Sequence, residues 1–126
     1  MQAIRSILYV NFIFLLPLAY LEIIENPISQ SMNENSPGAS LILTCKASAY
    51  PIASVVWYQN GNVIFDNVAT MTNSLNITTS VINITTVSFS HDGKYFCQFS
   101  TSIGLLNTTV AVVNISRKLY LDIYNS

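Results

Sequence analysis

Two cysteines, Cys45 and Cys97, lie 52 positions apart and are the only ones in the 126-residue chain. What such a pair does depends on compartment, because disulfides persist in oxidising surroundings and are rare in the cytosol. The N-terminus bears on that question. Arg5 is the only charge before Glu22, and between them runs the apolar stretch Ile7 to Leu18, followed by the small residue Ala19. A basic start, an apolar run and a small residue form the pattern of a secretory signal. The competing reading, an uncleaved transmembrane anchor, needs ~20 apolar residues; this run contains Asn11 and Pro17 and is followed by Glu22 and Glu25. On the signal reading, residues 1–19 are removed and the product is secreted, extracellular and without a membrane span, because the C-terminal RKLYLDIYNS is too polar for a second span or a lipid-anchor signal. Two cysteines in a secreted chain allow one pairing. Closing a loop of that length stabilises a small domain by roughly 4 kcal/mol.

Composition narrows the chemistry. Net charge is −1 and only 9% of residues are charged, which excludes the basic footprint of a nucleic-acid binder. With 51% hydrophobic residues, charge-driven disorder is excluded too. The abundance of Ile, Val, Thr, Ser and Asn suits a pleated sheet surface and points to an all-β chain. Two cysteines and a single histidine, His91, cannot assemble a Cys/His zinc site. Asp66, Asp92 and Asp122 are too dispersed for a calcium loop. His91 lies among turn residues without the activated serine and acid of a triad. No catalysis and no cofactor is expected.

The strand pattern is clearest in the middle of the chain. Leu41, Leu43 and Cys45 alternate with Ile42 and Thr44, giving one inward face. Val55 to Tyr58 forms the next strand and ends at Asn60-Gly61, a two-residue hairpin signal whose positions both favour φ > 0. Val63 to Phe65 returns. Between Asp66 and Ser80 the pattern is weak. Then come Ile82, Ile84 and Val87, a turn region from Ser88 to Gly93, the alternating Tyr95-x-Cys97-x-Phe99, a short connection from Ser100 to Gly104, and a last strand from Leu106 to Val113. Seven or eight short strands with regular turn signals predict a sandwich or small barrel.

Four residues sharpen the fold. Trp57 follows Cys45 by twelve positions, and Tyr95 precedes Cys97 by two within Gly93-x-Tyr95-x-Cys97. This constellation resembles the immunoglobulin superfamily. The resemblance implies a two-sheet Greek-key sandwich with an inter-sheet Cys45–Cys97 disulfide, Trp57 packed against it, and a corner in which the Tyr95 hydroxyl bonds a turn carbonyl. The cysteine spacing leaves little room for a C″ strand, while Val63 to Phe65 supplies a C′ strand, so the domain looks I-set-like or V-like. Two positions depart from the pattern. His91 stands where Asp is common, with Asp92 beside it, and the last strand lacks the Gly-x-Gly bulge of antigen-receptor variable domains. The expected organisation is a signal at 1–19, an N-terminal linker at 20–27, the immunoglobulin-like domain at 28–115 and a C-terminal tail at 116–126.

Asn76, Asn83, Asn107 and Asn114 each begin an Asn-x-Ser/Thr sequon. Asn83 must point outward if Ile82 and Ile84 point inward. A glycan there would cover one sheet and leave the outward face of the other, which carries the strands of Trp57 and Cys97, as the contact surface. With Trp57, Tyr95 and Cys97 inward, Val56, Tyr58, Phe96 and Gln98 face outward on that sheet as a partner-binding patch. The expected function is a secreted, non-catalytic recognition domain with a protein partner, in an adhesion, receptor-like or decoy role. The alternatives are a structural or self-associating module, including a homodimer, or a piece of a longer cell-surface ectodomain.

Overall fold

The computed structural model describes residues 18–117, so nearly all of the segment read as a signal and most of the segment read as a tail lie outside the described residues. The strands, in chain order, are β1 (Tyr20–Glu25), β2 (Gln30–Asn33), β3 (Leu41–Tyr50), β4 (Ser54–Gln59), β5 (Asn62–Ile64), β6 (Val68–Thr72), β7 (Ile77–Ile84), β8 (Gly93–Thr101), β9 (Gly104–Asn107) and β10 (Ala111–Ser116). One sheet runs β1-β3-β7-β6. The other runs β2-β10-β8-β4-β5, with β9 also paired to β8. The chain is thus an all-β sandwich, and only the β2–β10 pairing is parallel among the described pairs.

Alternation builds the core. On β3 every second residue from Leu41 to Ala49 is buried, and on β8 Tyr95, Cys97 and Phe99 are buried. The Cys45–Cys97 disulfide joins these strands, and therefore the two sheets, with 6.6 Å between Cα atoms. Trp57 on β4 lies opposite Cys97, and Ser80 on β7 lies opposite Cys45. The Trp57 indole N–H donates to Ser80 Oγ at 2.9 Å, so a hydrogen bond crosses the core beside the disulfide. Thr70 Oγ1 completes the Ser80 hydroxyl's bonding at 2.8 Å.

The corner expected at Tyr95 is formed. Its ring is buried and its hydroxyl donates to the His91 carbonyl at 2.5 Å. Burial, with a contribution from the nearby Asp92 carboxylate, pushes the phenol up to about 12. Asp92 Oδ2 accepts the Ile115 N–H at 2.6 Å, tying the turn to β10. At the predicted hairpin, Asn60 and Gly61 have φ of 50° and 84°, and Gln59 pairs directly with Asn62. Asn60 Oδ1 accepts the Lys94 N–H at 3.0 Å. That amide rests against Gly93, where a Cβ would collide with it.

Three segments differ from the sequence reading. The stretch at 20–27, read as a linker, contains β1, whose Leu21 and Ile23 pack against the core while Glu22 stays exposed. Glu22 and Glu25 interrupt the apolar pattern and disguise this strand. The weak region between Asp66 and Ser80 holds all of β6 and the start of β7. Its inward positions include Thr78 and Ser80, so polar residues bury there without an apolar signature. The last strand is two strands, β9 and β10, interrupted at Thr108–Val110.

Two outcomes are expected from this core. Ser80→Ala removes the acceptor of a buried indole N–H and should destabilise the domain by about 1–3 kcal/mol in chemical denaturation. An unfolded tyrosine releases its proton near pH 10, whereas folded Tyr95 keeps its proton to about 12. The native state therefore binds more protons in that interval, and stability should fall as pH rises from about 10 to about 12. Comparing denaturation profiles of the native chain and Tyr95→Phe across that window isolates this component, which the variant should lack.

Candidate binding face

The outward surface of β4, β5, β8 and β9 follows from the inward commitments of Trp57, Tyr95, Cys97 and Phe99. Tyr58 and Phe96 lie directly opposite each other on β4 and β8. Their rings stack with centroids 4.9 Å apart and planes 11° from parallel. Val63 on β5 flanks Tyr58 on its other side and is 42% exposed. In the next row Val56, Gln98 and Asn107 line up across three strands. Gln98 Nε2 donates to Asn107 Oδ1 at 3.1 Å. In the row beyond, Ser54 and Ser100 share a hydrogen bond of 2.8 Å and Leu105 lies opposite Ser100, 61% exposed.

The four residues expected to form a patch are therefore brought together, each half-buried by its neighbours. Val63 and Leu105 enlarge the patch, and neither was singled out from the sequence. Within β4, β5, β8, β9 and β10, Lys94 is the only charged residue. An aromatic stack framed by aliphatic and neutral polar side chains can bury apolar area at low desolvation cost, because no carboxylate or ammonium has to leave water at its centre.

The row ends at a break in regular pairing. Gln98 pairs with Asn107, and Tyr95 pairs with Ala111, so two residues of β8 face three on the other strand. This is a one-residue bulge without glycine. Thr108 is buried and holds it: its N–H donates to the Cys97 carbonyl at 2.9 Å, and its Oγ1 accepts the Cys97 N–H at 3.0 Å. The bulge lets β9 follow β8 to the turn at Ser102-Ile103 while β10 continues with Ala111, Val113 and Ile115 buried.

The sequon asparagines do not segregate to one sheet. Asn83 is exposed on β7, as its parity required, beside the exposed Ile42. Asn76 is half-buried in the β6–β7 turn with φ of 62°. Asn107 and Asn114 are exposed on β9 and β10, in the same sheet as the Tyr58–Phe96 stack. The expectation of sugar sites on one face and a bare second face is therefore corrected. Residues 107 and 114 follow the same inside–outside alternation as β8, which turns both outward.

His91 has a structural place. Its Nδ1 accepts the Ser88 N–H at 3.0 Å, and its carbonyl takes the Tyr95 hydroxyl. The neighbouring Asp92 carboxylate is engaged by Ile115 N–H and does not orient the imidazole as a triad acid would. His91 also borders a pocket of about 280 Å³ between the sheets, lined by Ile64, Phe65, Ile82, Ile84 and Tyr95 among others. Among the described residues no group of three or more His, Cys, Asp or Glu could hold a metal ion. No helix there is long and apolar enough to cross a membrane.

Residues 22–100 match the Immunoglobulin domain family. The chain is similar to neurofascin of Gallus gallus, 28% identical over 85 residues that cover 68% of this chain and 6% of neurofascin. It is similar also to protein amalgam of Drosophila melanogaster, 31% identical over 85 residues covering 59% of this chain and 26% of amalgam. It thus spans less than a third of the length of either relative. Among solved structures, a chimeric titin Z1Z2 carrying an exogenous KLER peptide from decorin superposes with a TM-score of 0.65 at 15% identity, covering 79% of this chain and 98% of that one. At that identity the likeness concerns the fold, which is I-set-like and of a kind that is typically non-catalytic.

Thr108→Ala should disturb the face without touching the stack. It leaves the buried Cys97 N–H without its acceptor and should cost about 1–3 kcal/mol in thermal or chemical unfolding. Hydrogen exchange at the amides of Cys97 and Gln98 should accelerate relative to those of β3. The match over residues 22–100, together with the disulfide-linked sandwich that carries it, establishes that this chain belongs to the immunoglobulin domain family.

Proposed function

We propose that this chain is a secreted, non-catalytic recognition domain that binds a protein partner through the outward face of β4, β5, β8 and β9. The observation that carries the reading is the Tyr58–Phe96 stack at the centre of a face whose strands contain one charged residue. Single exposed apolar side chains are ordinary on any protein. Here Val63, Tyr58 and Phe96 are consecutive across three strands, with Val56 in the adjoining row. Large aromatics with depleted charge are the composition of an interface core.

The signal-type pattern at residues 1–19 supports delivery outside the cell, where the Cys45–Cys97 disulfide is stable. A second occupant is a further copy of this chain. With Lys94 alone carrying charge on these strands, two such faces could meet with little like-charge repulsion. Cell-surface panels probed with the purified domain, in parallel with sedimentation of the domain alone, separate a foreign partner from self-association.

The double variant Tyr58→Ser, Phe96→Ser should leave thermal unfolding cooperative, since both side chains face outward. It should weaken capture, or self-association, by roughly thirtyfold or more, equivalent to about 2 kcal/mol at a hot spot. Unchanged capture and unchanged sedimentation in this variant would remove the face from the function.

A further inference from the structure

We propose that an N-linked glycan on Asn107 covers the Tyr58–Phe96 stack, so that occupancy of this one sequon decides whether the face is open to a partner. The partner rests on the reading above; the covering does not. Asn107 is exposed on β9 and lies directly opposite Gln98. Phe96 is two residues along β8 from Gln98, which makes it the diagonal neighbour of Asn107 at about 7–8 Å. Tyr58 lies one strand further, about 4.8 Å away. A bulky glycan anchored at this point has the stack within reach of its first sugars.

The local bonding holds the anchor beside β8. Gln98 Nε2 donates to Asn107 Oδ1, which leaves Asn107 Nδ2 for the linkage. Transfer from a lipid-linked oligosaccharide diphosphate forms the Nδ2–C1 bond, breaks the bond from C1 to the diphosphate oxygen, and releases one amide proton. The product is still an amide whose carbonyl accepts the Gln98 bond. The side chain therefore stays drawn toward β8 after modification. The short turn between β8 and β9 keeps Asn107 in register and cannot lift it from the sheet. The other three sequons lack this relation. Asn83 belongs to the opposite sheet, Asn76 to a turn of that sheet, and Asn114 lies beyond the bulge opposite Ser31 on β2.

Hydroxyl-radical footprinting of protein from a eukaryotic secretory host tests the covering, with glycopeptide mass spectrometry giving the occupancy at Asn107. Thr109→Ala abolishes the sequon while retaining Asn107 and its bond to Gln98, and the Thr109 side chain is exposed. Oxidation of Tyr58 and Phe96 should be severalfold lower in the native chain than in Thr109→Ala. Thr109→Ser, which keeps the sequon, should restore protection. Asn83→Gln should leave both rings as protected as in the native chain. An unoccupied Asn107, or equal oxidation in the native chain and Thr109→Ala, overturns the proposal. Cell-surface capture by Thr109→Ala, with and without Tyr58→Ser and Phe96→Ser, addresses the partner separately. Protection without any capture that those substitutions abolish would retain the covering and sink the recognition reading.

Discussion

A closed ring of four residues holds the two sheets in register. Cys45 is bonded to Cys97, Cys97 lies opposite Trp57, Trp57 donates to Ser80, and Ser80 lies opposite Cys45. Two edges of this ring are lateral pairings within sheets, and two are links across the core, one covalent and one a buried hydrogen bond. The disulfide restricts the unfolded chain, while the indole–hydroxyl bond acts in the folded state by satisfying two groups that would otherwise be buried at a cost. Because the crossing links are adjacent, sliding either sheet along its strands would break both together. Lateral position is thereby fixed at the centre of the molecule, and every outer residue inherits its side from that position.

The candidate face is a consequence of this inheritance. A strand residue has two directions available, and a one-residue slip would exchange them. Once Trp57 and Cys97 point inward opposite each other, Tyr58 and Phe96 must point outward opposite each other, close enough to stack. The bulge at Thr108 then absorbs the one-residue mismatch between β8 and the β9–β10 strand. Without it, the burial of Ala111, Val113 and Ile115 would conflict with the outward position of Asn107. Thr108 is suited to the position because one side chain both accepts the Cys97 N–H and donates to the Thr109 carbonyl.

The parts legible in the sequence were those in which a residue type has a single physical use. Asn60-Gly61 could be read because positive φ is costly elsewhere, and the inward alternation at Leu41, Leu43 and Cys45 because burial leaves its mark on side-chain chemistry. Cys45, Trp57, Tyr95 and Cys97 were legible through a family resemblance. Ser80 was not, since a buried serine looks like a surface serine until its indole partner is in place. β1 and β6 were hidden for a related reason. Both are edge strands, where outward acids, threonines and Met71 dilute the apolar pattern. The location of Asn107 also required pairing information: residues 98 and 107 become neighbours only through a tight turn and an exact register.

That register changes what asymmetry between the sheets means. A sugar-bearing sheet set against a bare one would require the sequons to cluster, yet Asn83 and Asn107 face opposite ways. They share a different property. Asn83 pairs with the exposed Ile42, and Asn107 lies diagonal to the stacked Phe96. Each of these two asparagines thus borders exposed apolar area. The difference between the faces lies in the order of that area: exposed Ile42, Tyr50 and Met71 lie apart in register on one sheet, and on the other a stacked aromatic pair is extended by Val63 and Val56. An isolated apolar side chain needs no partner. A contiguous aromatic row with one charge on its strands is costly to leave in water, and the chain has an asparagine placed at its rim.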